Sequence, residues 1–326
     1  MTRSSVPAPV TAVMEAAGAW LPVRMAEVEE RLAAQTVGHG PRLGEEAEAT
    51  LAAGGKRLRP LLVLMAAGNS APERAVRAAT AVELVHMATL VHDDVLDGAP
   101  VRRGRPTVFA RSGRGRALAV GDLLLSRAFA ELAVPGAEAE IAELSSASVA
   151  LARGELAQRR DAFDTTISEK RYLERCSLKT ARLFESACRV GRLASGAPGT
   201  EVLAAFGRDI GLAFQLLDDV LDVTGPPERT GKARGTDLLD GTVTLPLILA
   251  RRVDPALEGV ELRGLDQTAA EAICDRIADT GALEEVRARA RDGAERAKRI
   301  LVADAFTDEE RHLLGLIADG VVDRYS

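Results

Sequence analysis

Ala81-Val-Glu-Leu-Val-His-Met-Ala-Thr-Leu-Val-His-Asp-Asp-Val-Leu-Asp97 decides how this chain is read. Its first twelve residues are apolar on most sides, with His86 and His92 embedded, which is the pattern of a buried helix rather than a half-exposed one. Its last five, Asp93 to Asp97, recur without change at Asp218 to Asp222. In each copy the outer aspartates are four residues apart, so on a helix they lie one turn apart on one face with the middle one beside them. Gly98 and Pro100 follow the first copy, and Gly225, Pro226 and Pro227 follow the second. Each triad is therefore expected in the last turn of a helix. The helix dipole is negative there, and clustered anions are unfavourable. A hard divalent cation between the carboxylates removes that conflict, and an oxygen-only set favours magnesium or manganese over zinc. Two solvated acidic helix ends remain the alternative for either copy alone.

Basic residues surround the triads. Arg102 and Arg103 follow Asp97 within a short turn, where planar guanidinium groups suit the oxygens of a phosphate; pairing with the nearby aspartates is the structural alternative. Upstream, Gly54-Gly-Lys-Arg-Leu-Arg-Pro60 reads as a loop, with Pro60 opening a helix that continues to Ala67 and leaves free amides for an anion. It is not a Walker A loop, so ATP is not indicated. Lys179-Thr180 falls in a helical run from Tyr172 to Arg192, and Lys232 lies in Gly231-Lys-Ala-Arg-Gly-Thr-Asp237. Each of these lysines alone passes for a surface residue; together they point to a polyanionic ligand.

With 326 residues, 47% of them hydrophobic, the chain can bury a large core. Aromatics are only 3%, and stretches such as Glu138 to Phe163 and Thr268 to Asp304 carry helical spacing. No strand alternation stands out. Breaks at Pro135-Gly136, Ser195 to Gly199, Gly225 to Gly235 and Val253 to Gly264 divide an all-α bundle of ten or more helices. The candidate ligands span both halves of the sequence, so one domain, residues 10–326, is expected around one central substrate cavity, with residues 1–9 weakly tied down. A formal net charge of −6 argues against nucleic acid, despite the cluster Arg102, Arg103, Arg105, Arg111, Arg114 and Arg116. Cys176, Cys188 and Cys274 have no metal spacing and read as core residues of a protein in a reducing cytosol. His39 and His312 have no companion ligands. No signal peptide and no bilayer-length apolar run is seen, so a soluble, cytoplasmic protein without stable membrane insertion is expected.

Gly-Gly-Lys-Arg-Leu-Arg-Pro, Glu-Leu-Val-His, His-Asp-Asp-Val-Leu-Asp with Arg-Arg-Gly-Arg-Pro-Thr, Lys-Thr-Ala, Phe-Gln-Leu-Leu-Asp-Asp and Gly-Lys…Gly-Thr-Asp-Leu together resemble the trans-polyprenyl diphosphate synthases, from about Gly54 to Pro246. The resemblance implies that Asp93, Asp94, Asp97, Asp218, Asp219 and Asp222 hold three magnesium ions, with manganese as a substitute, around an allylic diphosphate. It further implies that Lys56, Arg59, His86 and Arg103 take isopentenyl diphosphate, that Arg102, Lys179 and Lys232 grip the allylic diphosphate, and that Thr180 and Gln215 line the reacting centre. Asp93, Asp94, Asp97, Arg102, Lys179 and Asp218 would be the catalytic set, and a homodimer is implied. In such a reaction the allylic carbon–oxygen bond breaks, the isopentenyl double bond attacks the cation, and a proton leaves, most simply to the departing diphosphate. No nucleophilic side chain is required, and none of the usual nucleophilic arrangements is present.

Thr242 departs from the pattern, since many relatives have lysine there; weaker allylic binding is expected. The resemblance also implies that product length is set one turn before the first triad, here at Met87, Ala88 and Thr89. The small pair Ala88 and Thr89, with Phe129 and Leu132 as candidate lower walls, points to thirty carbons or more; close helix packing is the bland alternative. A twenty-carbon geranylgeranyl synthase, a class I terpene cyclase and a non-catalytic partner subunit are the rival readings. The second triad and the retained Lys56, Arg59 and His86 speak against the last two.

Overall fold

Alanine, leucine, glutamate and arginine lose little side-chain freedom in a helix, and a chain dominated by them folds accordingly. The structure, a computed structural model, describes residues 8–52, 54–225, 233–301 and 305–323. The helices are α1 (Ala8–Ala16), α2 (Trp20–Ala34), α3 (Gly40–Ala52), α4 (Leu58–Ala67), α5 (Pro72–Leu96), α6 (Val108–Ser112), α7 (Arg114–Leu132), α8 (Glu138–Arg160), α9 (Glu169–Cys176), α10 (Arg182–Ser195) and α11 (Thr200–Thr224). They continue as α12 (Thr236–Leu239), α13 (Leu245–Ala250), α14 (Pro255–Glu258), α15 (Gln267–Asp279), α16 (Ala282–Ile300) and α17 (Asp308–Asp323). The all-α expectation of ten or more helices holds. The only strands among the described residues are the two-residue pair β1 (Val101–Arg102) and β2 (Arg105–Pro106), an antiparallel hairpin too short to show alternation in the sequence.

Several boundaries differ from the sequence reading. Helix α4 begins at Leu58 rather than Pro60. The first turn of a helix has no intrahelical use for its amides, so Pro60 is accommodated as the third residue of that turn. The run from Tyr172 to Arg192 is not one regular helix: a π turn spans Ser177–Ala181, with Arg182 N bonding back to Ser177 O. Helix α8 stops at Arg160, because Phe163 takes a left-handed backbone, φ 65°. Thr280 and Gly281 split the run from Thr268 to Asp304, and α1 already starts at Ala8.

Helix α5 starts with Pro72 at its first turn and ends at Leu96, with Asp97 as its C-cap and the left-handed Gly98 next. Val82, Leu84, Val85 and Ala88 are buried along it, and it packs against α2, α4, α7 and α10. Helix α11 packs against α10, α16 and the π turn. Helix α10 thus touches both aspartate-bearing helices, and the π turn lies between α8 and α11. Two glycines permit that approach. A Cβ on Gly154 of α8 would stand 2.6 Å from Lys179 N, and one on Gly211 of α11 would stand 2.7 Å from the Ala181 Cα. One contiguous apolar core runs from Val13 to Val321 and takes in Tyr172, Phe184 and Phe206. Cys176, Cys188 and Cys274 are buried in it, and burial pushes the Cys176 and Cys188 thiols up to about 12, as expected of inert core cysteines.

Candidate active site

The aspartates of the first triad face different partners. Asp94, 5% exposed, accepts from Arg102 Nε at 2.6 Å, the pairing that the sequence left open. Asp97 accepts from Arg159 of α8, and Asp93 lies 4.0 Å from Lys179 Nζ. Lys179 donates to Glu155 of α8, which also accepts from Arg159 Nε at 2.9 Å. Burial pushes the Asp93 carboxyl up to about 6 although Lys179 pulls it down. Burial also raises Glu155, but Lys179 and Arg159 outweigh it and hold that carboxyl below the usual range.

In the second triad Asp218 is exposed, Asp222 is half-buried, and Asp219 is 2% exposed. Asp219 accepts from the Tyr172 hydroxyl and from Gln215 Nε2 at 2.7 Å; Gln215 Oε1 in turn accepts from Thr180 Oγ1 at 2.6 Å. Burial first, then the Asp237 charge, push Asp219 up to about 8. Asp222 accepts from the Asp237 amide at 3.1 Å, which fastens the start of α12 to the triad. Lys232 lies outside the described residues.

A separate cationic pocket surrounds His86. Burial holds its imidazole well below its usual pKa, and Arg59, Arg103, Arg102 and Arg57 add to the effect, so the ring is neutral. Arg59 sits 4.6 Å over the Phe184 ring, and its buried Nε has no hydrogen-bond partner. Arg103 (φ 52°) brings Nη1 to 2.9 Å from where a Cβ on Gly55 would stand. Arg57 caps α4 in a left-handed backbone and donates to Glu83 Oε1 at 2.8 Å and Glu29 Oε1 at 2.5 Å. Lys56 is exposed in the loop before it. Arg102 acts on both His86 and Asp93, so the arginine pocket and the aspartate site adjoin.

Among the described residues no three His, Cys, Asp or Glu side chains converge as a metal cage. The donor chemistry nevertheless fits a hard divalent cation. The carboxylates offer oxygen alone, and Asp93 and Asp219 keep raised pKa values that their basic and hydroxyl neighbours do not offset. A cleft of about 840 Å³ lined by Arg153, Ala157, Leu173, Ser177 and Leu178 includes none of these aspartates.

The polyprenyl synthetase family model matches residues 41–276, across both triads and the arginine pocket. The chain belongs to this family. It is 38% identical to heptaprenyl diphosphate synthase component 2 of Geobacillus stearothermophilus, over 89% of this chain and 88% of that protein. It is 37% identical to the geranylgeranyl diphosphate synthase of Methanosarcina mazei, over 83% of this chain and 86% of that one. The crystal structure of a Caulobacter crescentus polyprenyl synthase complexed with calcium and isoprenyl diphosphate superposes with a TM-score of 0.90 at 33% identity, covering 99% of each chain. The isoprenoid-synthase fold and the prenyltransferase class expected from the sequence are therefore those of this chain.

The fold brings Asp93, Asp97 and Lys179 together, sets Thr180, Gln215 and Asp219 in one hydrogen-bonded line, and gathers Arg59, His86, Arg102 and Arg103. Sequence reasoning missed Glu155, Arg159, Tyr172, Arg57 and Glu83. Glu155 and Arg159 were detectable as an i, i+4 pair on one helix face. Nothing local marks Tyr172 or Glu83, whose roles arise from partners 47 and 26 residues away.

Proposed function

We propose that this prenyltransferase condenses isopentenyl diphosphate with an allylic diphosphate, magnesium-dependent and trans, to a product of thirty carbons or more. The carrying observation is the pair of adjoining charged clusters that share Arg102, whose Nε lies 2.6 Å from Asp94: one lined by arginines around a neutral His86, the other lined by carboxylates and Lys179. Two diphosphates, one held by protein cations and one through metal, match that division. Lys56, Arg59, His86 and Arg103 bind the isopentenyl diphosphate. Arg59, with its unpartnered buried Nε, has a donor to give. Arg102, Lys179 and Lys232 bind the allylic diphosphate and stabilise the charge that develops as it leaves.

Magnesium, when bound, would neutralise that leaving group, with Asp93, Asp94, Asp97, Asp218, Asp219 and Asp222 as its carboxylate ligands. Asp219 also orients Gln215, and through it the Thr180 hydroxyl, at the reacting centre. The surrounding helices exclude water from the allylic cation. No side chain forms a covalent bond.

Incubating the purified chain with magnesium, isopentenyl diphosphate and farnesyl diphosphate, then weighing the dephosphorylated products, tests the reading. A ladder ending at thirty carbons or above is expected. A stop at twenty would overturn the chain length, in line with the Methanosarcina relative, and no product with any allylic primer would overturn the activity of the chain on its own. We also propose a homodimer. The Geobacillus relative is named as a component, so a second, different subunit is the alternative, and light scattering with the activity of the isolated chain separates the two.

A further inference from the structure

Five charges close a ring at the first aspartate triad. Asp93 lies 4.0 Å from Lys179 Nζ, Lys179 donates to Glu155 Oε2, Glu155 Oε1 accepts from Arg159 Nε at 2.9 Å, and Arg159 Nη2 donates to Asp97. The helical bond from Asp97 N to Asp93 O, 2.8 Å, completes it. Signs alternate along the four side-chain contacts from Asp93 to Asp97, the two aspartates meeting only through the backbone bond, and the members come from the end of α5, the π turn and α8. Glu155, 9% exposed, is the hub: each of its oxygens carries a different cation.

We propose that Arg159 is a further cationic grip on the allylic diphosphate, and that Glu155 is the positioning residue that aims both Arg159 and Lys179 at it; this rests on the function proposed above. Asp93 and Asp97 occupy the cations until metal arrives. A divalent ion held by those carboxylates would draw them from Lys179 and Arg159, leaving two positive charges on the single carboxylate of Glu155. The surplus charge faces whatever anion the metal brings. The planar Arg159 fork remains anchored through Nε while its terminal nitrogens can meet phosphate oxygens side by side, a geometry that lysine lacks. A purely structural Glu155–Arg159 pair has no need to reach Asp97 as well.

Arg159→Gln, Arg159→Lys and Glu155→Gln test this against the parent chain. Arg159→Gln is expected to raise the allylic KM about tenfold, the size of one charged hydrogen bond, and to leave the isopentenyl diphosphate KM unchanged. Calorimetry with inorganic pyrophosphate and magnesium should show the same loss. Arg159→Lys should recover part of it, and Glu155→Gln should raise the allylic KM without matching loss at the other substrate. Manganese binding to the diphosphate-free protein, read by electron paramagnetic resonance, should be unchanged or tighter in Arg159→Gln, since a competitor for Asp97 is gone. An unaltered allylic KM and pyrophosphate affinity would overturn the proposal. So would an equal rise in both KM values, or loss of manganese binding, either of which marks a structural support. If the parent chain transfers no prenyl group, the functional reading fails, yet the pyrophosphate and manganese titrations still decide the role of Arg159.

Discussion

Asp93 shows how a single residue couples stability to its ligand. Its carboxyl is raised from 3.8 to about 6, chiefly by burial. Below 3.8 it is neutral whether the chain is folded or not; as pH rises from there to about 6, the unfolded chain ionises first, so the metal-free fold loses stability over that window and does not regain it above. The loss is on the order of 3 kcal/mol. A cation at Asp93 offsets it only where the carboxylate is ionised. Magnesium should therefore raise the thermal midpoint clearly at about pH 8 and little at about pH 5; equal shifts at both would remove Asp93 from the metal site. Thr242 offers a second residue-scale test. Its amide donates to Asp237 O at 2.7 Å, beside the loop fastened to Asp222. Thr242→Lys is expected to lower the allylic KM by adding a cation at that rim; unchanged KM and turnover would show that position 242 does not reach the diphosphate.

At the scale of elements, the π turn is what places Lys179 and Thr180. One extra residue in the turn widens the helix, and the backbones of α8 and α11 close on it at Gly154 and Gly211. Gly154→Ala would put a methyl 2.6 Å from the Lys179 amide nitrogen, a contact that only a backbone shift can relieve. We expect a destabilisation of about 1–3 kcal/mol together with a fall in turnover, read from chemical denaturation and steady-state rates on the same variant. Full turnover despite the lost stability would mean that the site tolerates movement of the turn. The element boundaries also show where sequence reading stops. Apolar spacing and the breakers after Asp97 and Asp222 located α5 and α11 correctly, because those signals are local. The π turn leaves no such trace in Ser177–Ala181; what surrounds it, the bare glycine faces of α8 and α11, comes from other parts of the chain.

The whole molecule is tied together by groups far apart in sequence. Arg192, 2% exposed, donates to Glu310 Oε1 at 2.7 Å, to Ala66 O at 3.0 Å and to Pro198 O at 2.8 Å, which joins α10 to α4 and α17. Arg192→Met leaves Glu310 with Thr307 alone and removes the donor to the Ala66, Pro198 and Ala305 carbonyls, so we expect a loss of about 1–3 kcal/mol, measured by urea denaturation; a loss below about 1 kcal/mol would place the pair among surface bridges. Product length belongs to this scale too, because it depends on how helices leave space along α5. Ala88 is 1% exposed and Thr89 is half-buried, its hydroxyl donating to His86 O at 2.7 Å, while Leu132 is buried and Phe129 partly so. Ala88→Phe should shorten the product ladder. Destabilisation with an unchanged ladder would instead mark Ala88 as a packing residue. No helix among the described residues is long and apolar enough to cross a membrane.

The amino-acid sequence by itself determined the helical class, both aspartate-bearing helix ends and the basic residues near them, because helix propensity, breakers and four-residue spacing act between neighbours in the chain. It also identified Arg59, His86, Arg102 and Lys179 as candidates through their types and motifs. Tertiary structure alone decided which partner each carboxylate meets from a distant element: Lys179 on Glu155, Tyr172 on Asp219, Arg57 on Glu83. Those pairings follow from burial and from the approach of helices remote in sequence. Desolvation and charge act through space, so no local pattern in the chain encodes them.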